Sequence, residues 1–353
     1  LRRANVANVS VECADCREWL KTYNGPKLDL VFIDPARRAS DGSRVFALSD
    51  CEPDVVAMLP DLRRVAHRLI IKMSPMLDIS AILSTLPECI KLYVLGTATE
   101  CKELVAVIDF EHPAPSACDV AIEAVTVADG GTHSFLCTRA EEMVADAVYG
   151  RPRSGDWLCE PWPSVMKAGA VRLVAERYGL QKLAPNTHVY FAPEKVAGFP
   201  GTQRRVVDVL PYASRVIKRF SRTYRNIDVA VRNFGMTADA LRSKLGVHDS
   251  GARGRLMAVT DAGNEKLLIV LEWALPLKSD GQANRTQRDI RRIAIPVVGG
   301  HKLIAYAHVY SLASVVVERY AQSRRRLEVE ALCIGKESVS DFKIIVAYEK
   351  RSS

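Results

Sequence analysis

The tightest constraint on this chain is a short apolar run, Leu28-Asp29-Leu30-Val31-Phe32-Ile33, that stops abruptly at Asp34-Pro35. A strand that is apolar at consecutive positions sends apolar side chains to both faces and must be covered on both, as strands of parallel sheets are. The same logic extends along residues 1–110. Asn8–Cys13 is predicted as a short strand and Ala14–Tyr23 as a helix start with Asp15 near its cap. Apolar positions Val55, Val56, Met58, Leu59, Leu62 and Val65 predict a helix over 54–66. Arg68–Lys72 reads as a strand stopped by Ser74-Pro75, Ile79–Leu86 as a helix, and Ile90–Leu95 with Leu104–Phe110 as an antiparallel pair at the sheet edge. Strands alternating with helices predict an α/β, Rossmann-like, mostly parallel sheet.

Further along, residues 111–117 carry two prolines and read as a linker. A second unit follows to about 213, with strands at Ala121–Val127 and His188–Phe191 and a helix over Ser164–Tyr178. A third begins near Ser214. It has a strand at Asn226–Val231, a helix over 237–245 capped by Thr237, and strands at Arg255–Val259 and Lys266–Glu272. The expected boundaries are therefore 1–113, 114–213, 214–273 and 274–353. The last segment turns apolar over Leu303–Val317, and no role is assigned to it.

With 353 residues, 48% hydrophobic and 25% charged, the composition excludes a collagen-like or wholly disordered chain. No uncharged apolar run is long enough for a membrane helix, and no signal peptide follows Leu1-Arg2-Arg3. Nine cysteines include one Cys13-x-x-Cys16 motif but no second pair at zinc spacing, so reduced thiols in a cytoplasm and no metal are expected. The net charge of +8 is concentrated. Residues 214–255 hold ten basic and three acidic side chains, leaving +1 for the rest of the chain. Such a surplus suits a polyanion such as RNA, or a solvated face.

The sharpest chemical feature is Asp34-Pro35-Ala36-Arg37 at the end of a buried strand. Ligands of open α/β sheets bind outside the carboxyl ends of the strands, where an acceptor-only carboxylate can take an amino group or base edge. A plain Asp-Pro turn is the alternative. Asp15 ends an upstream strand at a helix start, so two adjoining strands would each present an acid to one pocket. Lys72 leaves a strand at the same edge, where it can meet a substrate phosphate or solvent. Arg232-Asn233-Phe234 closes a strand within the basic segment and can grip a nucleotide by charge and stacking, or supply a core Phe234 beside an exposed Arg232. Arg219 and Arg222 are further candidates for RNA phosphates.

These residues resemble class I S-adenosylmethionine-dependent methyltransferases. The resemblance is narrower still to bacterial RNA methyltransferases with a C-terminal THUMP-like domain. It rests on Phe32-Ile33-Asp34-Pro35-Ala36-Arg37-Arg38, Ile71-Lys72-Met73-Ser74-Pro75, Glu100-Cys101-Lys102-Glu103-Leu104, Glu160-Pro161, Phe199-Pro200-Gly201 and Val231-Arg232-Asn233-Phe234. It implies a methyltransferase sheet over 1–113, a ferredoxin-like α+β domain over 114–213 and a THUMP-like RNA-binding domain over 214–273. It implies S-adenosylmethionine as cofactor, with Asp15 on the adenine amino group, the Cys16 N–H on the adenine ring, and Asp34 beside the methyl acceptor. Asp34, Pro35 and Arg37 become the catalytic set, and tRNA or rRNA the substrate. The chain departs from the family in three ways. The glycine-rich turn and ribose-binding acid would lie upstream of Leu1. Arg37 stands where exocyclic-amine methyltransferases carry an aromatic, closer to the D-P-P-R of uracil-C5 enzymes, for which Cys101 is the nearest candidate nucleophile. Residues beyond about 274 match nothing in the family. A non-catalytic RNA-binding protein or a degenerate methyltransferase is the alternative.

Overall fold

The computed structural model describes residues 11–12, 14–37, 47–252, 254–272, 328–334 and 342–348, with 11–12, 36–37 and the last two stretches considered by backbone alone. The chain divides into two compact units, residues 1–140 with 284–353, and residues 141–283.

In the first unit the strands are β1 (Val11–Glu12), β2 (Leu30–Asp34), β3 (Ala36–Arg37), β4 (Cys51–Glu52), β5 (Arg68–Met73), β6 (Cys89–Thr97), β7 (Cys101–Asp109), β8 (Ala121–Ala128) and β9 (Gly131–Cys137). The helices are α1 (Cys16–Thr22), α2 (Val55–Val65) and α3 (Ile79–Thr85), and α4 (Arg139–Val144) follows β9. Each of the first three helices starts where an aspartate caps it. Asp15 accepts from the Arg17 N–H, Asp54 from Val56 and Ala57, and Asp78 from Ala81. On β2, Leu30 through Ile33 are all buried, so both faces of the sheet are covered there.

The sheet order is β1-β18-β19-β2-β5-β7-β6-β8-β9, where β18 (Glu328–Ile334) and β19 (Phe342–Tyr348) form a hairpin late in the chain. Three expectations change here. The sheet is mixed rather than mostly parallel: only β1–β18, β2–β5 and β6–β8 run parallel among its eight neighbouring pairs. The strand expected to open the second unit is β8, which pairs with β6 from Lys91↔Ala121 to Thr97↔Val127. The antiparallel β6–β7 pair is therefore interior, and β9 is the edge. The burial patterns give the reason. β8 is buried on both faces and needs neighbours on both sides, whereas β9 is exposed at most positions. The apolar stretch Leu303–Val317 lies outside the described residues.

The second unit holds β10 (Val148–Tyr149), β11 (Trp157–Pro161), β12 (Gln181–Ala184), β13 (Thr187–Ala192), β14 (Gly201–Pro211), β15 (Asp228–Arg232), β16 (Gly254–Thr260) and β17 (Lys266–Glu272). They form one sheet in the order β10-β12-β13-β11-β14-β17-β16-β15. The single helix expected over Ser164–Tyr178 is two, α5 (Pro163–Ala168) and α6 (Val171–Arg177), because Gly169 adopts a left-handed φ of 84° and ends the first. Gly201 is required by close approach: a Cβ there would stand 2.1 Å from the Glu160 carbonyl on β11. The remaining helices are α7 (Ser214–Thr223) and α8 (Ala238–Leu245). Their Phe220, Leu241 and Leu245 pack on Val229, Leu256 and Leu268 of one sheet face. The other face gathers Leu158, Val189, Val206, Met257 and Ile269 into a second core. The sheet curls, so that β13 meets the far strands: Thr187 Oγ1 donates to the Thr260 carbonyl at 2.6 Å and accepts from Asn233 Nδ2 at 3.1 Å.

Candidate functional site

Parallel pairing of β2 with β5 sets Ile33 opposite Ile71, and the next residues on each strand are Asp34 and Lys72. Both strands end at the same edge, and the Lys72 ammonium lies 2.5 Å from Asp34 Oδ2. The side chains are 21% and 36% exposed, so the pair is neither sealed in core nor free in solvent. Lys72, expected to meet a substrate phosphate, is thus first of all the counter-ion of Asp34. The β6–β7 turn reaches this edge too, because β7 pairs antiparallel with β5 from Met73↔Leu104. That turn carries the Glu100–Lys102 ion pair and Cys101, whose thiol contacts the Leu95 carbonyl at 3.6 Å.

Asp15 sits on the same edge, but its strand does not adjoin β2. The β18–β19 hairpin lies between them, which corrects the expectation of neighbouring strands. Three strand spacings separate β1 from β2, about 14 Å. Arg17 joins Asp15 to Glu52 and not to Asp34, whose partner is Lys72. The Arg17 guanidinium holds Asp15 Oδ2 at 2.7 Å and Oδ1 at 3.1 Å, and reaches Glu52 at 3.1 Å. Glu52 faces Ala36 in the β3–β4 ribbon, two residues past Asp34. The Arg17 side chain holds the Asp15 carboxyl low, at about 2. Cys16 is 4% exposed, and burial pushes its thiol up to about 11; its backbone N–H, at the first position of α1, is one of the helix donors that no intrahelical carbonyl satisfies. Pro35 is half-buried between Asp34 and the ribbon. The side chain of Arg37 and all of Arg38, Cys13 and Arg253 lie outside the described residues.

A largely apolar cleft of about 290 Å³ opens between Leu48, Val56, Leu77, Asp78 and Ile82. It uses the loop that follows β5, but Asp15, Asp34 and Lys72 are not among its lining residues.

The basic segment resolves into distinct parts. On α7, Arg215, Lys218, Arg219 and Arg222 fall at i, i+3, i+4 and i+7 and are all exposed, while Phe220 on the opposite side packs into the core. None of the four pairs with a carboxylate among the described residues. Arg232 is half-exposed and pairs with Glu160 at 3.1 Å. Asn233 adopts a left-handed φ of 51° and ties β15 to β13 through Thr187. Phe234 adopts the core alternative that the sequence left open. It is 3% exposed, with its ring edge-on to Tyr212 at 5.0 Å, and so packs the core instead of stacking a nucleotide. Among the described residues no helix is long and apolar enough to cross a membrane, and no group of three or more His, Cys, Asp or Glu could hold a metal ion.

Comparison with known proteins finds two family matches, both within the second unit. Residues 157–200 match a ferredoxin-like domain family and residues 201–272 a THUMP domain-like family. Two relatives from Mycobacterium tuberculosis, strains CDC 1551 / Oshkosh and ATCC 25618 / H37Rv, are uncharacterized S-adenosylmethionine-dependent methyltransferases. Each is 25% identical over 283 residues, covering 77% of this chain and 71% of the relative. A crystal structure of a candidate methyltransferase from Porphyromonas gingivalis W83 superposes with a TM-score of 0.67 at 29% identity over 74% of this chain. The chain spans 63% of the length of that protein. The molecule thus joins a mixed α/β sheet to ferredoxin-like and THUMP domain-like modules, and its fold is similar to that of a candidate methyltransferase.

Proposed function

We propose that this chain is an S-adenosylmethionine-dependent methyltransferase acting on a base of tRNA or rRNA. The carrying observation is the Asp34–Lys72 pair at the carboxyl edge of β2 and β5, open to solvent and followed by the Asp15–Arg17–Glu52 chain. In this reading the first unit transfers the methyl group and the second captures RNA.

The adenine end of the cofactor can be tested against the residues present. An ionised carboxylate offers about four acceptor positions. Arg17 fills three on Asp15: its N–H and Nε on Oδ1, and Nη2 on Oδ2. The Glu18 backbone N–H also reaches this carboxylate, so the residues fit only if the adenine amino group shares Oδ2 with Arg17, with the Cys16 N–H at the first position of α1 next to it. S-adenosylmethionine, when bound, supplies an electrophilic methyl group. Asp34 accepts a hydrogen bond from an N–H of the target base and fixes its orientation, and Pro35 limits the backbone freedom of that carboxylate. Lys72 holds Asp34 in place and offers a donor beside its acceptor. Catalysis here is positioning, worth orders of magnitude when the geometry is close to that of attack. Arg219, Arg222 and Arg232 neutralise RNA phosphates. Arg37 follows the catalytic acid in sequence and is assigned to phosphate or ribose. We place this work in the cytoplasm, where thiols such as those of Cys16, Cys51 and Cys89 stay reduced.

One observation favours the non-catalytic alternative, a plain RNA-binding protein: most of the acceptor capacity of Asp15 is already used by Arg17. Isothermal titration of S-adenosylmethionine decides between the two. The methyltransferase reading expects saturable binding, weakened about 10- to 100-fold in Asp15→Ala by loss of a hydrogen bond to a charged group. Absence of binding, together with intact binding of tRNA, would leave the alternative standing.

A further inference from the structure

The concave face of the second unit's sheet ends in charge. Strand register puts the relevant side chains on one face. Leu158 is opposite Arg204, and Val206, two residues on, is opposite Leu271. Leu271 is opposite Arg255, and Arg255 is opposite Asp228. Leu158, Val206 and Leu271 belong to the apolar core of this face, so Arg204 and Arg255 continue it as its polar end. Glu160 lies two residues beyond Leu158 on the same face and crosses to Arg232 at 3.1 Å. Asp228 lies 3.5 Å from Arg255 Nε.

The charges here do not balance. Three guanidinium groups face two carboxylates. Arg232 takes Glu160 and Arg255 takes Asp228, while Arg204 forms no ion pair among the described residues. The buried Nε of Arg204 has no partner, and the buried Nε of Arg255 has only the Asp228 carboxylate at 3.5 Å, outside hydrogen-bond geometry. Buried donors in native structures nearly always have a partner, so the orphaned Arg204 Nε–H, beside the loosely held Arg255, calls for an anion with several acceptor oxygens. Burial, and then the neighbouring Arg255, push the pKa of Arg204 down, and a bound anion would relieve both effects. The cluster is not sealed, because the Arg232 side chain is 46% exposed and that of Arg255 26%.

We propose that Arg204, Arg255 and Arg232 form a phosphate-binding site at this end of the curled sheet. A guanidinium fork matches two oxygens of a tetrahedral phosphate, so Arg204, which has no carboxylate of its own, and its neighbour Arg255 suit it better than a monodentate anion. Chloride cannot satisfy divergent donors in the same way. The site stands without the methyl-transfer reading. Only the step from phosphate to RNA phosphate rests on that reading.

The test is thermal melting of the full chain in inorganic phosphate against chloride at matched ionic strength. Phosphate at ten times its dissociation constant should raise the wild-type melting temperature by about 3–6 °C. Arg204→Gln should abolish the rise while remaining folded, since it removes a cation crowded by another cation. Arg255→Gln should do the same. Arg205→Gln, exposed and on the opposite face, should keep it. No rise in the wild type, or an equal rise in Arg204→Gln and Arg255→Gln, would overturn the site. A second arm identifies the source of the phosphate. If the logarithmic salt slope for tRNA binding drops by about one in Arg204→Gln, the site holds an RNA backbone phosphate. If the slope is unchanged while the phosphate-dependent melting is lost, it holds a small phosphate-bearing ligand.

Discussion

At the carboxyl edge of the first sheet, Lys72 meets Asp34 at 2.5 Å and Arg17 meets Asp15 at 2.7 Å. In the second unit, Arg215, Lys218, Arg219 and Arg222 form an exposed stripe on α7 with no carboxylate partner among the described residues, and Arg204 stands unpaired. The two regions use charge differently. Paired charges hold one another in fixed geometry and project little field beyond their own contact. Unpaired cations leave their field for an outside anion, and counter-ion release on binding favours a polyanion. The first arrangement suits orientation of a small group, the second capture of a large one.

Several substitutions bear on this contrast. The largest effect concerns a residue that belongs to neither charge set. Phe234→Ala should destabilise the second unit by about 3–5 kcal/mol, read by denaturant unfolding, because it empties a core position beside Tyr212. Phe234→Leu should keep RNA binding. If RNA affinity collapses in the leucine variant while stability holds, the ring touches nucleotide after all. Asp15→Ala removes a helix N-cap and should cost about 1 kcal/mol. Asp15→Asn retains a cap but not the titration. Arg17 depresses the Asp15 pKa from 3.8 to about 2. The folded value lies below the unfolded one, so the contribution is complete above about pH 4 and is lost as the pH falls through 2. Acid melting between pH 5 and 2 should therefore be steeper in the wild type than in Asp15→Asn. A matching pair of curves would show that the Arg17 contact carries no stability. The smallest effect on stability belongs to α7, where Arg219→Gln with Arg222→Gln should change it by no more than about 0.5 kcal/mol per site. The same double variant should weaken tRNA binding and flatten its salt dependence by about two. An unchanged slope would return the stripe to an ordinary solvated face.

Much of this was legible in the sequence where the cause is local. The period of α2, the apolar run of β2 and the caps Asp15 and Thr237 are set by residues within a few positions, and the structure places them as read. What depends on distant partners was not legible. Lys72 lies 38 positions from Asp34, and only the parallel β2–β5 register makes them a pair. The parallel partner that draws β8 into the first sheet, and the hairpin between β1 and β2, follow from pairing choices that no periodicity encodes. Phe234 reads equally well as a stacking aromatic or a core residue until Tyr212 and the neighbouring strands surround it. Arg232 and Arg255 read as part of the basic segment, but Arg204 on β14 was not singled out, because only strand pairing brings it near them. The one local signal was an arginine at a core-facing position of an alternating strand.

The most direct test of the central claim is transfer of labelled methyl groups from S-adenosylmethionine to bulk tRNA and rRNA by the wild type and by Asp34→Ala. If the β2–β5 edge orients the acceptor, the wild type transfers label and the variant loses about 10²- to 10⁴-fold in rate with its melting temperature nearly unchanged. Full activity in Asp34→Ala would contradict the assignment of this edge as the acceptor site.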